Sequence, residues 1–144
     1  MPLDLYMLGL IVQDMHKGLE FYRRLGLAIP DVSNQQTHVE VKMGGGLTFF
    51  LDSQPSRWDP NVGHPDAPAH QDAAGSAPVV LEFYLKERSA VDAKYQELVD
   101  LGYQSYCAPY ATSFGMYFAM IKDPDGHTIL LSGDLDAHQL AEAA

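Results

Sequence analysis

Cysteine, basic residues and long apolar runs are all scarce in this chain. Cys107 is the one cysteine among 144 residues. A single thiol makes no intrachain disulfide and no cysteine-based zinc cage. Lys and Arg total 9 against 19 Asp and Glu, a formal net charge of -10. That balance makes nucleic acid a poor partner, because duplex affinity rests mainly on Lys and Arg neutralising phosphates. An anionic membrane surface is disfavoured for the same reason. The opening stretch, MPLDLYMLGLIVQDM, lacks a basic n-region and holds only about eight apolar residues in a row, too few for a signal peptide or a membrane span. A phosphate-cradling loop is missing too, since Gly44, Gly45 and Gly46 join two strand-like segments and precede no helix. The expectation is a cytoplasmic protein. Its composition, 47% hydrophobic and 19% charged, is that of a globular domain.

The pattern then reads as alternating strands and helices. Leu5 to Val12 is a short apolar strand, and Asp14 is placed to cap the helix that follows. Met15, Leu19, Tyr22 and Leu25 recur at helical spacing, and Gly26 suits the left-handed position that ends a helix. THVEVKM (Thr37 to Met43) and LTFFL (Leu47 to Leu51) read as a hairpin around the glycine turn. Residues 53–78 are rich in Pro, Asp, Ser and Gly with no period, which marks a loop or linker. Val79 to Leu85 is the next strand. Ser89, with Asp92 three residues on, is placed to cap a second helix whose stripe is Val91, Tyr95, Leu98 and Leu101, with Gly102 at its end. Tyr103 to Cys107, Met116 to Lys122 and His127 to Ser132 read as strands, the last two joined by the turn Asp123 to Gly126.

The two halves match each other. An offset of 76 carries Met15, Leu19, Tyr22, Leu25 and Gly26 onto Val91, Tyr95, Leu98, Leu101 and Gly102. An offset of 80 carries Lys42, Gly46, Thr48 and Leu51 onto Lys122, Gly126, Thr128 and Leu131. A lone unit of about 50 residues buries too little surface to be stable, whereas two units together are viable. The expected fold is α+β, a tandem repeat of two βαβββ modules. Residues 1–52 form the first module, 53–78 a polar loop or linker, 79–133 the second module and 134–144 a C-terminal tail.

The stretches LGLIVQDMHKGLEFYRRLGL (Leu8 to Leu27) and FGMYFAMIKDPDGHTILLS (Phe114 to Ser132) resemble the opening and close of a vicinal oxygen chelate module. That superfamily holds glyoxalases, extradiol dioxygenases, fosfomycin-modifying enzymes and bleomycin resistance proteins. The resemblance implies curled mixed sheets around a shared cavity, in a homodimer. Its enzymes place a divalent metal there, with ligands from the first and fourth strands of each module. Carried over position by position, those four places fall on Met7, Phe50, Val80 and Leu130, none of which binds a hard divalent ion. A shift of two on the third strand of the set puts Glu82 in place of Val80. The resemblance therefore points to a metal-free branch similar to the bleomycin resistance type, with no cofactor.

Other residues offer chemistry of their own. His38 and Glu40 alternate on one strand and share a face. Together with Glu82 they are candidates for a non-family metal site or an acid/base set. Cys107 has no neighbour in sequence that activates it and reads as a structural thiol. Aromatic residues crowd both modules, and those not in the core are suited to line an apolar cavity. The expected ligand-binding residues are Met7, Phe50, Val80, Glu82, Tyr84 and Leu130 as the wall, with Trp58 on a covering loop. The expected ligand is a small molecule, cationic and partly aromatic, with antibiotics among the candidates. The alternative is a metal-dependent lyase or dioxygenase with substituted ligands.

Overall fold

In the computed structural model, which describes residues 5–58 and 79–135, the chain divides into two compact units, one on either side of residues 59–78. Most of the segment expected to be a linker, and the tail beyond residue 135, lie outside the described residues.

The first unit runs β1 (Met7–Ile11), α1 (Met15–Leu25), β2 (His38–Lys42) and β3 (Thr48–Asp52). Its sheet has the order β1-β3-β2, with β1 parallel and β2 antiparallel to β3. Asp14 caps α1 as its sequence position requires, accepting from the Lys17 N–H at 3.1 Å. The whole predicted stripe of α1 is buried, joined by Phe21 and Gly18. Tyr22 stands with its ring centroid 5.3 Å from Phe49, so the helix is pinned to the middle strand of its sheet.

The second unit runs β4 (Val80–Glu87), α2 (Arg88–Asp100), β5 (Ser105–Ala111), β6 (Met116–Lys122) and β7 (Thr128–Asp134). Its sheet has the order β4-β7-β6-β5, with β4 parallel to β7 and the other pairs antiparallel. The plan is that of the first unit: the opening strand lies beside the last, and the helix crosses between. The repeat survives in detail. Gly26 and Gly102 end their helices at φ +132° and +98°. Lys42 pairs with Thr48 as Lys122 pairs with Thr128.

The α+β tandem βαβββ plan is thus present, with one departure. Where β5 stands in the second unit, the first has a 3-10 turn, Asp31–Gln35, preceded by Pro30. Proline has no N–H to give to a strand ladder. Arg23 on α1 also takes the carbonyls of this segment, donating to Ile29 O at 2.8 Å and Pro30 O at 2.5 Å, and to Asn34 Oδ1 at 2.6 Å. Those carbonyls are held by a side chain, and no strand forms.

Three local readings are corrected. Ser89 does not cap α2. The helix begins at Arg88, Glu87 is its cap residue without a side-chain cap bond, and the Ser89 hydroxyl donates to the Glu87 carboxylate at 3.4 Å. Asp92 serves β6 instead, accepting from the Tyr117 hydroxyl at 2.6 Å. The stripe of α2 is only half buried: Val91 and Leu98 are in the core, but Leu101 is 44% exposed. Tyr95 is half-buried, its hydroxyl 2.6 Å from the Ser105 hydroxyl. β4 runs two residues past the expected end, through a bulge after Tyr84 that places Lys86 at φ +71°.

Candidate functional site

Alternation along β1, β2 and β3 sorts their side chains onto two faces. Leu10, Val39, Phe49 and Leu51 are buried on the α1 side. The pairings Gly9 with Phe50, Glu40 with Phe50 and His38 with Asp52 define the other face, turned away from α1. Met7 lies on it too, opposite Thr48. Phe50 lies across β1 at Gly9: a Cβ there would fall 1.9 Å from the ring's Cζ. Glycine at position 9 is what lets the ring take this place.

Beside Phe50 is a polar network that sequence reasoning caught only in part. His38 Nδ1 is 2.8 Å from Asp52 Oδ2, and its Nε2 is 2.9 Å from Glu40 Oε2. The Trp58 indole N–H donates to the same Asp52 oxygen at 2.8 Å, and the Gln54 backbone N–H donates to Asp52 Oδ1 at 2.7 Å. Asp52 is only 2% exposed, so this buried carboxylate anchors three groups around it. The His38 ring lies 4.9 Å from Phe50, and Trp58 meets Phe50 edge to face at 6.4 Å. Trp58 follows a 3-10 turn, Pro55–Arg57, and is tied at the rim of the face by its bond to Asp52. Asp52 escaped the sequence reading. Its one signal was period two from Phe50, which puts it on the same face.

The charges of this network are set by their neighbours. Desolvation disfavours the His38 imidazolium, but the bonds to Asp52 and Glu40 prevail and hold its pKa above the ordinary 6.5. Burial pushes the Asp52 carboxyl up, yet the bonds from Trp58, His38 and Gln54 prevail and leave it below the ordinary 3.8.

In the second unit, Val80, Glu82 and Tyr84 pair with Thr128, Leu130 and Ser132. All four predicted residues of this module, Val80, Glu82, Tyr84 and Leu130, therefore share the face away from α2. Val80 and Tyr84 are about half exposed, at 49% and 53%. Leu130 lies buried between Glu82 and Met120. The Ser132 hydroxyl donates to Glu82 at 2.8 Å, and the Tyr84 hydroxyl donates to Asp134, which raises the Tyr84 pKa. Phe118, opposite Ser132 on β6, gathers Phe114 at 5.7 Å and Tyr110 at 6.2 Å. Tyr84 also borders an open groove of ≈ 850 Å³ that includes Lys86, Arg88, Asp92 and Asp134. Cys107 is half-buried, with its thiol 3.6 Å from the Ala108 carbonyl.

The register also tests the mapped metal positions. Met7 pairs with Thr48 and Val80 with Thr128, threonines that are themselves repeat partners. Gly9 and Glu82 correspond likewise, through Phe50 and Leu130. Val80, and not Glu82, is therefore the counterpart of Met7. The four positions offer a thioether and three hydrocarbon side chains, which do not fit a hard divalent ion. Among the described residues, no group of three or more His, Cys, Asp or Glu is arranged to hold a metal. Both nitrogens of His38 are already engaged by carboxylates.

Comparison with known proteins defines the class. The family model of the Glyoxalase/Bleomycin resistance protein/Dioxygenase superfamily matches residues 4–131. The chain belongs to this superfamily, as the two stretches of its sequence imply. Solved structures share the fold. A hypothetical protein from S. aureus is 25% identical with TM-score 0.67, over 92% of this chain and 94% of that one. A family enzyme from Burkholderia phytofirmans is 16% identical with TM-score 0.73, over 92% and 100%. A lactoylglutathione lyase from Agrobacterium tumefaciens is 20% identical with TM-score 0.63, over 92% and 94%. A search of curated proteins finds no match. Among the described residues, no helix is long and apolar enough to cross a membrane.

Proposed function

We propose that this chain is a small-molecule-binding protein of the superfamily, without the family's usual metal ligands, and that its binding residues lie on the faces of its two sheets turned away from α1 and α2. The observation that carries this reading is what stands at the mapped ligand positions. Met7, Phe50, Val80 and Leu130 put apolar surface where the family's metal ligands would stand, Trp58 meets Phe50 edge to face, and Phe114 and Tyr110 gather on Phe118 in the second unit. Such faces hold a ligand by stacking and apolar contact, with a few polar groups to orient it. Glu40 and Glu82 are the carboxylates among them, and together with the net charge of -10 they favour a cationic, partly aromatic ligand. Met7, Phe50 and Trp58 serve the face of the first unit; Val80, Glu82, Tyr84 and Leu130 serve that of the second. In this reading the protein is a homodimer, as the resemblance implies, and acts in the cytoplasm.

The test is a panel of cationic and aromatic natural products, screened by thermal shift and followed by calorimetry. Saturable binding is expected, with a change in the emission of Trp58, the only tryptophan. A panel that gives neither saturation nor a thermal shift overturns the reading.

A further inference from the structure

The network on β2 and β3 has a feature that simple stacking does not need. Glu40 is 47% exposed and lies opposite Phe50 across the strand pair, with Trp58 against the far side of the network and edge to face with Phe50, so an organic cation on this face would meet both a carboxylate and aromatic surface. In the free protein that carboxylate already has a partner, the His38 Nε2–H at 2.9 Å. The other nitrogen of His38 is fixed by Asp52, which is buried and braced by Trp58 and Gln54. The ring is therefore aimed at Glu40 by groups that stay in place whether or not the Nε2 proton is present.

We propose that Glu40, Phe50 and Trp58 form a subsite for an organic cation, a quaternary ammonium or protonated amine on an aromatic body, and that His38 gates it by competing for Glu40. This inference rests on the reading of the first unit's open face as a binding surface. Protonated His38 holds Glu40 and places a positive charge beside the rings, so it opposes a second cation. Loss of the Nε2 proton leaves a lone pair facing the carboxylate, and Glu40 is released toward the ligand. Nδ1–H stays with Asp52 throughout. Below the His38 pKa, binding of the cation thus expels one proton from His38 to solvent.

Few other groups interfere. Asp52 faces His38 from β3, and Glu40 faces it from its own strand. β1 presents only Met7, Gly9 and Ile11 on this face. Lys42 follows two positions beyond Glu40, and Arg57 adjoins Trp58 in the chain.

Benzyltrimethylammonium is a suitable probe, because its own charge does not titrate. Its Kd for the full-length protein, followed by Trp58 emission and calorimetry, is expected to weaken about tenfold per pH unit below the His38 pKa and to level off above it, since only the deprotonated fraction binds. His38→Gln removes that pH dependence. Glu40→Gln, an exposed substitution that leaves the core untouched, weakens binding at high pH at least about fivefold. A separate measurement needs no ligand: Trp58 emission of the free protein titrates with a midpoint above 6.5, and the transition is absent in His38→Gln. A probe that binds with one affinity at all pH values, or equally to Glu40→Gln, overturns the gate while small-molecule binding stands. A probe that binds at no pH, alongside a panel that also fails, overturns both.

Discussion

His127 and His38 are held the same way, each by a carboxylate at Nδ1, yet they sit in different settings. His127 follows the Asp123 to Gly126 turn, and its Nδ1 is 2.7 Å from the fully buried Asp123 carboxylate. That bond outweighs burial and raises the His127 pKa above 6.5. A raised folded-state pKa contributes stability that is complete below about 6.5 and is lost as pH rises through the folded value. The stability gap between wild type and His127→Gln should therefore narrow as pH rises from about 6.5 through the raised folded-state value, in urea unfolding at a series of pH values. A gap of constant size would sink the assignment. Asp52 works in the opposite sense. Its lowered pKa contributes stability above about 3.8 that disappears as pH falls through the folded value. At this scale the sequence was partly readable. His127 was recognisable as a strand-end residue because its turn is local. The Asp52 anchor was not, because it joins β2, β3 and the turn at Trp58 through contacts that span up to 14 positions.

Helices α1 and α2 are repeat partners that have diverged in how they pack. In α1 all four stripe positions are in the core, whereas in α2 the last of them, Leu101, faces solvent and serves as the C-cap. Leu98→Ala is thus expected to cost about 2–5 kcal/mol, as a cavity in a closed core does, and Leu101→Ala to stay within about 0.5 kcal/mol. Equal losses in chemical denaturation would show that α2 packs along its full stripe after all. Spacing alone did not distinguish the two leucines, because periodicity reports which residues share a face and not where the sheet beneath them ends. The 3-10 turn at Asp31–Gln35 is a similar case. The clamp from Arg23 that replaces a strand there is a tertiary contact, which no local pattern announces.

For the whole molecule, duplication was the most legible feature. Two offsets, 76 and 80, aligned helix stripes, turn glycines and strand residues, and the registers of both sheets agree with them. The mapped metal positions came from the resemblance, and the repeat supports them because it relates Phe50 to Leu130. Their chemistry makes a prediction about the intact protein. After dialysis, and again after exposure to nickel, zinc, iron or manganese, bound metal should stay below about a tenth of an equivalent by elemental mass spectrometry. A stoichiometric metal that a chelator removes would place a site elsewhere and bring the lyase or dioxygenase reading forward.

The ring of Phe50 lying across Gly9 ties the history of two positions together. While the Phe50 ring keeps this place, a side chain at position 9 would collide with its far end and force the ring to swing away. A small side chain at position 50 would lift that restriction at once, and position 9 would be free to drift. Among relatives of this chain, glycine at the one place and a large ring at the other should therefore be inherited as a pair, and be lost as a pair.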